Sequence, residues 1–191
     1  MGTKRIGLAR IEAMLESLKR EIDFGGGASA FKNIKSNTNV TVRSATTAHD
    51  LTATSGDLTV IYTGTMDGDV TLPQATAANV GMVIKIIYSA TAGTTARKLG
   101  FTDAGSTVIT GNLTVGALDA GAGDENISFA ITNNSKVVII DANDATGGGG
   151  AAGSTYTFTY FGANTVFCEA HALVTTGTPA PDAASTSATG I

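Results

Sequence analysis

The chain has no tryptophan, a single cysteine, two histidines and only three prolines among its 191 residues. Each shortage excludes something. One cysteine, Cys168, permits no internal disulfide and no cysteine-based metal site. It sits in the apolar run Val166-Phe167-Cys168, which is the setting of a buried, inert thiol rather than a nucleophile. The histidines, His49 and His171, lie far apart, with no His-x-x-x-His spacing to suggest a zinc site. Absence of tryptophan removes the aromatic platforms common in sugar clefts. No serine stands in a G-x-S-x-G elbow, so a hydrolase triad has no support. No apolar run reaches 18 residues, so no membrane-spanning helix is expected. The N-terminus is amphipathic and carries acids, unlike a secretory signal, and folding in a reducing cytoplasm is the expectation.

Charge is scarce too, at 15 % Asp, Glu, Lys and Arg, and it is unevenly spread. Residues 1–35 carry seven Lys and Arg against four acids, a net of +3. The remainder carries five against twelve, a net of −7. A basic arm on an acidic body suggests an attachment segment that meets an acidic surface. Nucleic acid fits less well, because the arm has no dense basic cluster and one aromatic before the glycines, Phe24.

What the chain does have begins with that arm. Leu8, Ile11, Leu15, Leu18 and Ile22 follow spacings of three and four, the a/d seam of a heptad repeat. Leu at a with Ile at d leans toward three or four strands. Thr3 is a suitable N-cap, and Gly25-Gly26-Gly27 is a stop. The expectation is an amphipathic helix over residues 1–24 that anchors or trimerises the protein. The seam spans about two heptads, short of the ~3–4 of an unambiguous coiled coil, and so short a helix must dock on something. Self-association, docking on its own domain and docking on a foreign surface are the three options. Its contact residues are Leu8, Ile11, Leu15, Leu18 and Ile22, with Lys4, Arg5 and Arg10 supplying charge.

A linker over residues 25–37 leads to a β-rich domain over 38–175. Threonine and glycine abound, and turn residues punctuate short alternating runs. The predicted strands are Asn39–Arg43, Asp57–Tyr62, Gly68–Leu72, Met82–Tyr88, Lys98–Thr102, Thr107–Val115, Asn126–Thr132, Lys136–Asp141, Thr155–Phe161 and Val166–Val174. Asn133-Asn134-Ser135 reads as a tight turn. Ala142–Gly153 reads as a glycine-rich loop, and residues 176–191 as an extended tail held only by a neighbour. The fold class expected is mainly β: a β-sandwich, jelly-roll-like, with an N-terminal helix and an extended C-terminal tail. No long repeat is visible.

Two acidic stretches, Asp67-Gly68-Asp69 and Asp141-Ala142-Asn143-Asp144, could offer oxygens to a hard cation. Neither completes an EF-hand loop, and both are ordinary turn sequences. No cofactor, metal or catalytic residue is expected.

Two stretches carry a resemblance. The opening Met1-Gly2-Thr3-Lys4-Arg5-Ile6-Gly7-Leu8-Ala9-Arg10-Ile11-Glu12, with Leu15 and Leu18-Lys19-Arg20-Glu21, resembles the start of small virion structural proteins of marine tailed phages. The run Asp69-Val70-Thr71-Leu72-Pro73-Gln74-Ala75-Thr76, leading into Gly81-Met82-Val83-Ile84-Lys85-Ile86, resembles a β-unit of phage fibre and capsid-decoration proteins. The resemblance covers about a quarter of the chain. It implies a non-enzymatic virion protein, a homotrimer that decorates or cements the head shell by binding the major capsid protein or another virion protein. A fibre, spike or adaptor subunit of head or tail is the alternative within that class. Outside it stand a carbohydrate-binding module, using the exposed ones among Tyr62, Tyr88, Tyr156 and Tyr160 as stacking groups, although the alternation at Tyr156–Tyr160 suits a core face better, and a polysaccharide depolymerase, which has no motif. The expected location is the virion, assembled in the host cytoplasm.

Overall fold

The structure, a computed structural model, describes residues 39–44, 47–51, 56–66, 68–92, 97–117, 127–140, 149–174 and 186–191. The chain divides into two units, Met1–Lys35 and Ser36–Ile191. The expected helix over 1–24, its contact residues Lys4, Arg5, Leu8, Arg10, Ile11, Leu15, Leu18 and Ile22, and the linker over 25–37 lie outside the described residues.

The described body is mainly β. Its first half is wound rather than folded back and forth. β1 (Asn39–Arg43), β3 (Leu58–Tyr62) and β5 (Val83–Tyr88) lie side by side in one sheet. β2 (His49–Asp50), β4 (Val70–Thr71) and β6 (Arg97–Gly100) lie side by side in the other. Every one of these neighbours is parallel: Asn39 stands opposite Leu58 and Leu58 opposite Ile84, while His49 stands opposite Val70 and Val70 opposite Leu99. The chain thus visits the two sheets alternately and makes three stacked coils. Parallel neighbours follow from that path, because each coil re-enters a sheet in the same direction. Each coil would leave an apolar face open without the next, which is the logic of solenoids.

Aspartates stitch the coils together. Asp57 Oδ1 accepts the Val83 N–H at 2.9 Å. Asp69 Oδ1 accepts the Lys98 N–H at 2.8 Å. In both cases a carboxylate at the start of one coil's strand satisfies a backbone donor of the next coil, which would otherwise be left without a partner at a corner.

The second half closes this stack with longer, mostly antiparallel strands: β7 (Val108–Ala117), β8 (Ile127–Ser135), β9 (Val137–Ile140), β10 (Thr155–Gly162), β11 (Thr165–Val174) and β12 (Thr186–Ser187). The seven-stranded sheet runs β1-β3-β5-β10-β11-β7-β8, and the five-stranded sheet runs β12-β9-β6-β4-β2. One hydrophobic cluster draws on both sheets, from Val60, Ile84, Phe158 and Cys168 on one side to Val70, Leu99 and Val138 on the other. Strict alternation explains the faces. In β10, Tyr156, Phe158 and Tyr160 are buried while Thr155, Thr157 and Thr159 stand on the outward face.

Three expectations need correction. A jelly roll is built of antiparallel Greek keys, but five of the ten described strand pairings are parallel. Asn133-Asn134-Ser135 is not a hairpin turn. It is the end of β8, where Ile109 pairs with Ser135 and Gly111 with Ile131, so extra residues bulge out of β8. Asn134 takes a positive φ of 72° there, and the chain then crosses to the other sheet as β9. The end of the chain is held by its own body rather than by a neighbour. Thr186 pairs with Val138, the Lys136 N–H donates to Ser187 O at 2.7 Å, and the Ile191 N–H donates to Phe101 O at 2.9 Å.

Candidate functional site

Both sheets end at the first coil. β1 is the last strand of one and β2 the last strand of the other, so among the described residues neither has a neighbour on its outer edge. A strand edge of this kind presents backbone donors and acceptors to any extended chain that arrives. Between the two edges lies a cavity of about 330 Å³, lined by Asn39, Val40, Thr41, His49, Asp50, Leu51 and Leu58.

The first coil is built differently from those behind it. Parallel pairing puts partners on the same side of the sheet, so Asn39 and Thr41 share the inward side with Leu58 and Val60. Val40 and Val42 therefore project outward and are 59 % and 63 % exposed. Polar residues on the core side and valines on the solvent side suit a strand that awaits a partner, not one that closes a core. Arg43 braces the corner, with Nη2 donating to the Thr47 hydroxyl and to Ala48 O, both at 3.4 Å.

From this end a file of rings runs into the core. The His49 ring meets Tyr62 edge-on at 5.9 Å, and its Nδ1 lies 2.8 Å from the Tyr62 hydroxyl. Tyr62 stacks on Tyr88 at 5.4 Å, and Tyr88 meets Tyr156 edge-on at 6.1 Å. Burial pushes all three phenols up from their usual pKa, so none is a ready proton donor. All four tyrosines of the chain are buried at 0 % exposure. This overturns the suggestion that Tyr62, Tyr88, Tyr156 and Tyr160 are surface stacking groups: their alternation reflects a core face.

Burial lowers the His49 pKa first, Arg43 lowers it further, and Asp50 partly opposes them. The neutral ring can share a hydrogen bond with the Tyr62 hydroxyl at Nδ1, as acceptor when its proton is on Nε2 and as donor when it is on Nδ1. A folded pKa below 6.5 means that the unfolded chain binds the proton more readily. Stability from this group is thus complete above about pH 6.5 and is lost as pH falls through the folded value. Urea unfolding between pH 7.5 and 5.5 should show a midpoint that falls with pH, and His49→Gln should flatten that slope. An equal slope in both proteins would assign the dependence to other groups.

The remaining candidates are structural. Cys168 is fully buried, and burial raises its pKa, with Glu169 adding to the rise. Asp69 serves the coil stitch described above; Asp67 and the 141–144 stretch lie outside the described residues. Compared with known proteins, the chain matches no family model, no curated protein and no solved structure. The site must be read from its own geometry. Sequence reasoning missed it because β2 is two residues, His49-Asp50, with no alternation to announce a strand. Chemically the site offers two strand edges, a half-polar cavity and a pair of outward valines. Open strand edges of this kind can hydrogen-bond an extended polypeptide.

Proposed function

We propose that the chain is a non-enzymatic structural protein of a bacteriophage virion: a capsid decoration or cement protein, acting as a homotrimer, that binds the head shell. The body reads as a two-sheet sandwich wound from stacked coils. The observation that carries the proposal is the open first coil, where both sheets stop together around a cavity. Strand addition at such an edge supplies affinity through main-chain hydrogen bonds and is a common way of joining protein to protein. The basic arm that precedes it in sequence, with Leu8, Ile11, Leu15, Leu18 and Ile22, serves as the trimerising or anchoring segment. Its charge complements an acidic partner such as a capsid subunit.

The same open end favours one second reading, a fibre, spike or adaptor subunit of head or tail, because a coil stack can be continued by the next part. Mass spectrometry of phage particles purified by density gradient tests the class. Peptides of this chain should co-purify with intact particles in many copies per head. Presence in the infected-cell lysate with absence from particles would sink the virion reading; a few copies per particle would favour the fibre or adaptor.

A further inference from the structure

The outward face of the seven-stranded sheet is laid out symmetrically about its middle strand. β10 is fourth of the seven. Three of its outward residues, Thr155, Thr157 and Thr159, stand opposite Ile87, Lys85 and Val83 on β5, and opposite His171, Glu169 and Phe167 on β11, with the exposed Phe161 beyond them at the bulge. Lys85 and Glu169 are exposed, and among the described strands of this seven-stranded sheet they are the only Lys, Arg, Asp or Glu on the outward side. Neither has a hydrogen bond or ion pair among the described residues. They flank Thr157 from two strands apart, roughly 9–10 Å across the sheet. Phe167 beside them is 42 % exposed.

We propose that this face is a two-fold interface between two copies of the chain, with the axis running along β10 through Thr157. An axis in the plane of contact exchanges β5 of one copy with β11 of the other. Lys85 then meets Glu169 of the second copy, and the reverse contact is made at the same time. Val83 likewise meets Phe167, twice. The three threonines face their own counterparts along the axis. They are short and uncharged, and permit the ~10 Å approach of sheets packed face to face. An isologous contact of this kind requires a self-complementary patch, and the register supplies one.

The extent is sufficient. Seven strands at ~4.8 Å and five residues at ~3.4 Å outline roughly 500 Å² per copy. Two copies therefore cover about 1,000 Å², the level that a specific interface must reach. Beyond the central strands the pairing stays compatible. Thr59 meets Asn112, and Val40, already 59 % exposed, meets Ala130. The pairing is independent of the trimeric association proposed above. Alone it gives a dimer; combined with a three-fold contact it gives six copies.

The test is the solution mass of the full chain by sedimentation across a dilution series at physiological salt. The native chain should carry an even number of copies. Lys85→Glu and Glu169→Lys each place like charges in contact twice, and each should weaken the association at least about tenfold and halve the mass. The double variant Lys85→Glu/Glu169→Lys should restore the native mass. Thr157→Arg, which sets two guanidinium groups against each other on the axis, should halve it as well. Far-UV circular dichroism checks that each variant is folded. A monomeric or three-copy native chain overturns the proposal. So does a native mass retained by both Lys85→Glu and Thr157→Arg, or a double variant that stays at half mass. A half-mass species of three copies keeps the trimer reading; a half-mass species of one copy removes the trimer and leaves the two-fold face standing.

Discussion

Gly111→Ala is expected to unfold a large fraction of the molecule's stability for the addition of one methyl group. Gly111 lies in β7 with φ +137°, a backbone conformation that L-residues rarely adopt. It also sits opposite Cys168 in the parallel β7–β11 ladder. A Cβ there would stand 1.9 Å from Cys168 O, with the carbonyl carbon and nitrogen of the same residue at 2.8 and 2.9 Å. All three are backbone atoms in the interior of a ten-residue strand, so no side-chain rotation relieves the contact. Strain of about 1–3 kcal/mol for the backbone and a similar ~1–3 kcal/mol for overpacking place the loss near 2–6 kcal/mol. That is a large share of the ~5–15 kcal/mol typical of a folded domain. Gly56→Ala separates the two causes. Gly56 has nearly the same φ, +142°, but nothing within 4 Å of an added Cβ. Its loss should be limited to the backbone part. Urea unfolding of both variants makes the comparison; equal losses would show that the close approach of β7 to β11 is not what demands glycine.

Strands were legible in this chain because alternation is a local property. β1 runs from Asn39 to Arg43 as expected, and β3, β5, β10 and β11 begin and end within one or two residues of the predicted runs. Their order was not legible. Short strands at turn-punctuated intervals suit a jelly roll, which is built of antiparallel neighbours, and equally suit a wound stack. Direction and partner are decided by the connections, and here the coils send every second strand to the same sheet. The repeat that would have revealed this is hidden by unequal coil lengths. Asn39, Leu58 and Ile84 stack, so successive coils advance by 19 and then 26 residues. His49, Val70 and Leu99 stack, with advances of 21 and 29. No fixed period survives such insertions.

The site was less legible still. Alternation in Asn39–Arg43 shows that Val40 and Val42 share a face but not which face. Only pairing with Leu58 and Val60 shows that the valines point outward. The tyrosines illustrate the opposite case. Tyr156 and Tyr160 share a face with Phe158, and that pattern alone argues for burial. Their meeting with Tyr62 and Tyr88 depends on the parallel stacking of β3 on β5 and the antiparallel pairing of β5 with β10, which no single-strand pattern contains.

That ring file yields the second large effect. Tyr156→Ala should cost about 3–5 kcal/mol for the lost ring and its cavity, by analogy with other large aromatic deletions. The ring is fully buried, and it meets Tyr88 edge-on, which in turn stacks on Tyr62. Its hydroxyl donates to Gly149 O at 2.6 Å. Tyr156→Phe retains the ring but strands that carbonyl, and about 1–3 kcal/mol should be lost. Tyr88 is the informative contrast. It is equally buried, yet its hydroxyl finds no hydrogen-bond partner among the described residues. An unsatisfied hydroxyl in an apolar core is a standing cost, so Tyr88→Phe should be neutral or stabilising. The expected order of urea midpoints is Tyr88→Phe at or above the native chain, then Tyr156→Phe, then Tyr156→Ala. A Tyr88→Phe variant as damaged as Tyr156→Phe would mean that the Tyr88 hydroxyl is bonded after all, and that the coil stack has a second polar tie at its centre. With the order as expected, ring packing holds the core of the stack, the Tyr62 hydroxyl ties its open end to His49, and the Tyr156 hydroxyl fastens the strand β10 to the loop end at Gly149.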